Sequence, residues 1–178
     1  MVYSENISGR YIELRSVIEE DAEFTLAIRQ EPEFVKFLPR LNITIEQQRA
    51  WIKKQREDKG DYFFLAVTKD NRPIGTLGVY NIEKDTAESG RLALKGDALQ
   101  NIEACLLLFK FSFEILKLKE MTGFVYADNK RAIRFNKKLG CSIGKSELDK
   151  AGKMICATKI KKENFYETVR ELEKVLYR

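Results

Sequence analysis

Apolar residues recur along the chain with two different periods, and the change of period predicts where strands and helices lie. Apolar and charged residues alternate over 10–15, which reads Arg-Tyr-Ile-Glu-Leu-Arg, and this predicts a strand with one buried face. Short apolar runs bounded by turn residues predict further strands. These runs cover residues 62–68, 74–82, 86–94, 120–126, 142–148 and 153–160.

Helical spacing fills the gaps between these runs. Asp21 begins a predicted helix that ends at Pro32, and a short turn or helix over 34–38 stops at Pro39. Each proline ends its segment because it lacks the N–H that a continuing helix needs.

Four further helices are predicted, and the first carries its own start signal. Thr44 and Gln47 form a capping-box pattern at the beginning of a helix that ends at Gly60. The others are a long apolar helix over 102–116, a basic helix over 130–139 and an amphipathic helix over 164–177. The order β-α-α-β-β-β-α-β-α-β-β, followed by the last helix, predicts one α/β (α+β) domain over 1–178.

Composition changes this picture little. The chain has 178 residues, 44% hydrophobic and 33% charged, which is enough to bury the core of one domain. A net charge of +5 favours anionic partners without choosing among nucleic acid, a membrane surface and a polyphosphate cosubstrate. The first fifteen residues lack an apolar segment, and Lys110 and Ser112 interrupt the longest apolar run. We therefore expect neither a signal peptide nor a membrane span.

The residue types exclude some chemistries. Histidine is absent, which excludes a nucleophile activated by histidine and argues against a catalytic zinc site. An acyl transfer in which a carboxylate or water takes the proton stays open. Cys105, Cys141 and Cys156 are odd in number and lie in apolar surroundings, so we expect reduced core thiols and a cytoplasmic protein.

The stretch 125–141 carries the most specific pattern in the chain. It reads Val-Tyr-Ala-Asp-Asn-Lys-Arg-Ala-Ile-Arg-Phe-Asn-Lys-Lys-Leu-Gly-Cys, the end of a strand followed by a basic helix and a glycine exit. It resembles the second acetyl-CoA-binding motif of the GNAT N-acetyltransferases, strand-D/E-N-x-x-A-x-x-x-Y-x-K-x-G-F. The matching residues are Asn129, Ala132, Lys138, Leu139 and Gly140. Asn136 stands where that family commonly has Tyr, and Cys141 where it commonly has Phe.

The resemblance implies a fold and a cosubstrate. It implies a mixed, mostly antiparallel sheet of about seven strands, flanked by helices, whose central parallel pair, 86–94 and 120–126, splays apart. Acetyl-CoA would lie in the splay, without a metal. Its pantetheine arm would pair with main chain near Leu92 and Leu94, and its diphosphate would meet amides at the start of the long helix. The residues implied there are Leu99, Gln100, Asn101 and Ile102, with Asn129, Ala132 and Lys138 on the basic helix.

The diphosphate loop departs from the family pattern Q/R-x-x-G-x-G/A. Aligned on Glu103 and Ala104, the family glycines fall on Asp97, Leu99 and Asn101. Three interpretations stay open: a reshaped loop that still offers amides, weak cosubstrate binding, or a site that has lost acetyl-CoA. Five basic residues between 130 and 138 would supply charge to a phosphate, or would form only a solvated face.

For catalysis, the resemblance points to an acidic base at the start of the strand that feeds the splay. Glu88 lies there, and the alternative role is a strand glutamate paired with Arg91 or Lys84. Asn136 takes the place of the family tyrosine, where an amide can hold a thioester or water but cannot donate a proton as a phenol does. Tyr80 and Tyr126 are further candidates for the acid, which the sequence leaves unassigned.

The segments 11–15, 21–22 and 29–33 resemble the ribosomal-protein N-terminal acetyltransferase-like branch of the family. The segments 45–51, 73–82 and 87–88 resemble relatives of that branch that acetylate amino groups of nucleotide-linked sugars. On the acceptor side the candidates are Arg29, Trp51 and Tyr80, although tryptophan is more often a core residue and arginine more often a surface residue.

Four functions follow as alternatives. The first is direct transfer of an acetyl group, within a ternary complex, to a primary amine of a small molecule. A nucleotide-linked amino sugar is the acceptor class. The second is acetylation of protein N-termini, and the third a GNAT-fold binding protein without catalysis. A closed pocket walled by 32–41 would favour the small molecule, and an open groove the protein. Nucleic-acid binding, the fourth, has little aromatic support. The sequence permits a monomer or a homodimer.

Overall fold

An eight-stranded sheet forms the centre of the protein in a computed structural model that describes residues 1–38 and 41–177. The strands are β1 (Ile7–Ser8), β2 (Ile12–Ser16), β3 (Tyr62–Thr68), β4 (Pro73–Glu83), β5 (Thr86–Leu94), β6 (Glu120–Tyr126), β7 (Ser142–Leu148) and β8 (Met154–Lys161). Their order across the sheet is β1-β2-β3-β4-β5-β6-β8-β7. Only the contact between β5 and β6 is parallel among the described strand pairs, which confirms the predicted topology.

The helices lie between the predicted strands. They are α1 (Ala22–Ala27), α2 (Pro32–Val35), α3 (Ile45–Glu57), α4 (Ala98–Lys110), α5 (Lys130–Lys138) and α6 (Lys162–Leu176). Short 3₁₀ turns flank α1, and a π-helical turn over Phe111–Ile115 extends α4. Within the described ranges, no helix is long and apolar enough to cross a membrane.

Two differences from the sequence predictions have local reasons. The two-residue strand β1 is too short to show alternation, and it pairs with Leu14 and Glu13 to make the eighth strand. The long helix begins at Ala98 and not near 102, because Asp97 caps it. The predicted stop at Pro39 lies outside the described residues.

The parallel pair β5–β6 separates soon after it forms. Its register joins only Thr86 to Glu120, Ala87 to Met121 and Glu88 to Thr122. The hydroxyl of Ser89 donates to the Thr122 carbonyl at 3.3 Å, and that of Thr122 donates to the Ala87 carbonyl at 3.2 Å. Side chains thus close the last point of contact between the two strands.

Each strand of the pair is held by its other neighbour. β6 stays paired with β8 along its whole length, from Glu120 opposite Lys161 to Tyr126 opposite Ile155. β5 stays paired with β4 as far as Leu94 opposite Gly75. The strands diverge because these outer ladders continue while the inner one stops. The predicted splay is confirmed.

The sheet buries a different cluster on each face. The larger cluster joins β2–β6 to α4 and α6, with Phe64, Phe111, Phe113 and Phe165 at its centre. The smaller one packs Phe63, Leu65 and Val67 of β3 against Ile52 of α3 and Ala22 of α1. Alternate residues of β3 therefore serve opposite faces, as the period of a strand requires.

The last helix, α6, packs on its own chain. Its buried residues Phe165, Val169, Leu172 and Leu176 recur at three or four positions, as predicted. Phe165 meets Phe109 of α4 with ring centroids 5.9 Å apart. The last helix therefore packs against α4 of its own chain.

A buried carboxylate joins the chain ends to α4. Glu103 is 0% exposed, and its oxygens accept the backbone N–H groups of Arg10, Tyr11 and Ile12 at 2.7–2.9 Å. The Tyr177 hydroxyl donates to the same carboxylate at 3.3 Å. Burial, and then the negative charge of Glu103, raise the pKa of Tyr177 to about 12. Charge-assisted bonds of this kind compensate the cost of burying the carboxylate.

We expect Glu103→Gln to lower the free energy of unfolding by about 2 kcal/mol, because the amide replaces a charged acceptor and turns an N–H group towards backbone donors. Urea denaturation followed by the fluorescence of Trp51, the single tryptophan, measures the change. The control is Glu171→Gln, which removes an exposed partner of Lys174 and should change stability by less than about 0.5 kcal/mol. Equal effects of the two substitutions would contradict the anchoring role of Glu103.

Candidate active site

A cleft of about 650 Å³ opens beside the first residues of β5. Glu88 lies in it, half-buried, at the last register pair before the splay. The other lining residues are Asp58, Lys59, Gly60, Asp61, Tyr80, Asn81, Ile82, Glu83, Thr86, Ala87 and Thr122. A carboxylate therefore stands at the point where the central strands part.

Neither Arg91 nor Lys84 pairs with Glu88. Within 1–38 and 41–177, its carboxylate forms no ion pair with Arg91 or Lys84. Arg91 is held instead by Asp61, with its two terminal nitrogens 2.5 and 2.7 Å from the two carboxylate oxygens. The Glu88 carboxylate is consequently available to a ligand in the cleft.

A β-bulge places the Arg91 side chain. The register of β4 against β5 shifts by one residue between the pairs Thr76–Ala93 and Gly78–Gly90. Arg91 takes up the extra residue with a φ of 54°, in the left-handed region that a side chain seldom adopts. The Thr76 hydroxyl donates to the Arg91 carbonyl at 2.8 Å and supports this turn of the strand.

Aromatic side chains surround the Arg91 guanidinium. Its central carbon lies 4.6 Å from the ring centre of Tyr80, 5.1 Å from that of Trp51 and 5.4 Å from that of Phe63. Ring faces attract a cation, and the bidentate contact with Asp61 fixes its orientation. Contacts on several sides thus hold the Arg91 side chain in place at this site. From the sequence alone, Arg91 was expected only as a partner for Glu88.

Gly90 makes room for Tyr80. A Cβ atom on Gly90 would overlap the Tyr80 hydroxyl, so this position requires glycine for the phenol to lie against β5. Tyr80 also stands directly opposite Glu88 in the β4–β5 ladder. Burial, and then the charge of Glu88, raise the pKa of Tyr80. The phenol therefore stays protonated and can donate a hydrogen bond.

The three residues expected on the acceptor side gather around Arg91. Trp51 is 39% exposed and meets Phe63 edge to face at 5.7 Å, so it is not the core residue that tryptophan commonly is. Arg29 is half-buried, and burial, followed by the positive charge of Arg91, lowers its pKa. Tyr80 and Trp51 both contact the Arg91 guanidinium. The structure thus brings Arg29, Trp51 and Tyr80 together.

The splay opens part of one edge of β5. Beyond Glu88, the edge of β5 that faced β6 has no strand partner among the described residues. Leu92 is 37% exposed there, whereas Leu94 is 7% exposed and packs into the main core. Any contact of Leu94 with a ligand would come from its main chain, as the resemblance implies.

The start of α4 is not an unoccupied anion-binding site. Asp97 caps the helix, and its carboxylate accepts the amides of Leu99 at 2.8 Å and Gln100 at 2.9 Å. The Asp97 backbone N–H donates to the Gln100 side-chain oxygen at 3.0 Å, and the Asn101 backbone N–H donates to the Asp97 carbonyl at 3.0 Å. Ile102 is buried in the core.

The fit to acetyl-CoA therefore differs between its two parts. The open edge of β5 suits the pantetheine arm. The amides expected to meet the diphosphate are already occupied by a carboxylate of the same chain, so this end of the site does not fit the diphosphate as it stands.

The side chains of α5 first serve their own helix. The Asn129 side chain accepts the Ala132 amide at 3.0 Å and so caps the start of α5. Asn136 donates to the Ala132 carbonyl at 2.9 Å and does not line the cleft that holds Glu88. Lys138 is exposed at the end of the helix. These positions stay predictions for cosubstrate binding.

Tyr126 belongs to a second hollow, of about 340 Å³, at the other end of β6. Lys153 lies 5.1 Å from its ring centre, and Phe37 lies 6.4 Å away. In the same region Lys36 approaches Asp128 at 3.9 Å, and Arg131 contacts Glu33 at 3.0 Å. The described part of the predicted wall, residues 32–38, therefore contacts the region where β6 is followed by α5.

The comparisons with known proteins agree with this geometry. A family model described as an acetyltransferase (GNAT) domain matches residues 12–142, which include the splay, the cleft and α5. The chain belongs to the GNAT acetyltransferase family. The match indicates an N-acetyltransferase, and members of this family use acetyl-CoA as the cosubstrate. No cluster of metal-ligating side chains occurs within the described ranges.

Two curated relatives are acetyltransferases. The chain is 27% identical over 117 residues to acetyltransferase PseH of Campylobacter jejuni subsp. jejuni serotype O:23/36, covering 65% of this chain and 73% of the relative. It is 28% identical over 108 residues to the PseH of serotype O:2, covering 60% and 67%.

Solved structures share the fold over nearly the whole chain. FdhC, described as a nucleotide-linked sugar GNAT, is 23% identical, with a TM-score of 0.79, and the match covers 99% of this chain and 97% of FdhC. A variant of spermidine N-acetyltransferase SpeG from Vibrio cholerae is 14% identical with a TM-score of 0.75, covering 86% and 95%. At these identities the likeness supports the fold alone.

Proposed function

We propose that the protein transfers an acetyl group from acetyl-CoA to the primary amine of a small molecule, and that this acceptor is a nucleotide-linked amino sugar. The position of Glu88 carries the catalytic part of the proposal: a half-buried carboxylate at the splay, with no ion-pair partner in the described chain. The arginine cluster beside it supports the acceptor class.

Glu88 acts as the general base. A primary amine is protonated near neutral pH and becomes a nucleophile only after it loses that proton. Glu88 accepts it directly or through one water molecule in the cleft. The neighbouring acids Asp58 and Glu83 give this part of the cleft negative charge, which favours entry of an ammonium group.

Tyr80 orients the acceptor. Its phenol stays protonated because burial raises its pKa, so it presents a hydrogen-bond donor opposite Glu88. A donor and a carboxylate on facing positions of one ladder can hold an amine or hydroxyl between them.

Arg29 and Arg91 favour an acceptor that carries negative charge. Arg91 is paired with Asp61, and burial, followed by the positive charge of Arg91, lowers the pKa of the neighbouring Arg29. Two guanidinium groups thus lie on this side of the site. A guanidinium binds phosphate through paired N–H donors, so the phosphate of a nucleotide-linked sugar suits this side. The exposed face of Trp51 lies next to this charge.

We expect Glu88→Gln to lower kcat by about 100-fold at neutral pH and to leave the Kd for acetyl-CoA unchanged, because only proton removal is lost. The rate of the variant should recover as pH rises and the free amine loses its own proton. Release of the CoA thiol gives the rate, and calorimetry gives the Kd.

The matched control for this prediction is Glu83→Gln, which removes an exposed carboxylate from the same cleft. Its kcat should stay within a few-fold of the parent value. An unchanged kcat in Glu88→Gln would remove Glu88 from the mechanism.

For the acceptor, we expect Arg29→Gln to raise KM about tenfold for a nucleoside-diphosphate amino sugar and to change KM little for the same free amino sugar, because only the former has a phosphate to lose. Arg49→Gln on the exposed side of α3 is the control. If the protein acetylates a peptide N-terminus or a polyamine faster than either sugar, the proposed acceptor class is wrong. If it acetylates none of these amines, the catalytic proposal is wrong as well.

A further inference from the structure

Asp97 places a negative charge where the family positions the phosphates of its cosubstrate. Its carboxylate lies 2.8 and 2.9 Å from the amide nitrogens of Leu99 and Gln100. They are the second and third amides of a thirteen-residue helix that begins at Ala98, where the partial charges of the backbone attract an anion. The attraction that would hold a diphosphate already holds a side chain.

The capping arrangement leaves one polar group unsatisfied. Asn101 is 8% exposed, and its side-chain nitrogen donates to the Gly96 carbonyl at 2.8 Å. Its side-chain oxygen is buried and has no hydrogen-bond partner among the described residues. Buried acceptors are rarely left in this state, so the closed loop is not a fully satisfied structure.

Gly96 keeps the loop tight against the helix. A Cβ atom there would come within 2.8 Å of the Gln100 side-chain oxygen and within 3.0 Å of the Asn101 oxygen. Asp97 itself is exposed, so its side chain can rotate into water without disturbing the core. The carboxylate is therefore held by the helix amides and not by packing.

We propose that Asp97 is an internal competitor for the phosphates of the cosubstrate, which bind at the start of α4 only when the Asp97 carboxylate leaves the Leu99 and Gln100 amides. The inference rests on the proposed use of acetyl-CoA. Asp97 is then a determinant of the affinity for the cosubstrate. The replacement of a family glycine by Asp97 thus has a physical effect on binding.

The competition has two components. Binding must break two charge-assisted hydrogen bonds of the cap, and it must bring a diphosphate close to a carboxylate of the same sign. Replacing the carboxylate by an amide removes the repulsion and weakens the hydrogen bonds that must be broken. Asparagine caps a helix about as well as aspartate, so the helix start is preserved.

We expect Asp97→Asn to bind acetyl-CoA roughly tenfold more tightly than the parent protein, as measured by calorimetry at fixed salt. Binding of acetylpantetheine, which has the arm and thioester without the diphosphate, should not change. Glu171→Gln, which makes the same change of charge on the outer face of α6, should leave both affinities unchanged. Far-UV circular dichroism of the variant should match the parent, as an intact cap requires.

The outcomes separate this inference from the function on which it rests. Equal or weaker acetyl-CoA binding in Asp97→Asn overturns the competition and leaves the proposed function standing. An equal gain for acetylpantetheine also overturns it, since the effect would then not come from phosphate. If neither protein binds acetyl-CoA at millimolar concentration, the competition and the proposed function both fail.

Discussion

The unequal pairing of β5 with its two neighbours is the constraint on which the site depends. On one side the ladder with β4 continues to Leu94, interrupted by a bulge. On the other side the ladder with β6 ends after three pairs. The ending opens a gap between the central strands, and the bulge turns Arg91 towards Asp61 and Tyr80, which line the cleft beside that gap. A sheet paired regularly on both sides of β5 would have neither feature.

Once β5 is placed in this way, simple chemistry arranges the rest. The strained backbone at Arg91 is offset by contacts on every side of its guanidinium, namely Asp61, Trp51, Phe63 and Tyr80. Backbone strain at a site is maintained only where the surroundings determine the conformation. Glu88 keeps its carboxylate available because Asp61 takes the arginine that would otherwise pair with it.

Much of the fold follows from patterns in the sequence. The strands from β3 to β8 appear within one residue or so of their predicted limits, because alternation and turn residues mark them clearly. The helices α3, α5 and α6 also begin near their predicted positions. The two-residue strand β1 carries no periodic signal and escapes this reasoning.

The site could be predicted only where a local sequence pattern marks the residues that form it. The motif around Asn129 identified the family, and Arg29, Trp51 and Tyr80 were expected together on the acceptor side. The role of Arg91 depends on a bulge and on a partner thirty residues away, which no local pattern shows. Asp97 is different, because Asp-x-x-Gln is a helix-start signature that can be read from the sequence, and here it stands at the position of a family glycine.

Hydrogen exchange of the β5 backbone tests most directly whether the gap beside this strand is the cosubstrate site. With acetyl-CoA at saturation, the amides of 89–94 and 123–126 should exchange at least several-fold more slowly, while those of β2 should not change, because a pantetheine arm would take the place of the missing ladder. Unchanged exchange in both segments, under conditions where binding is measured independently, would contradict the account.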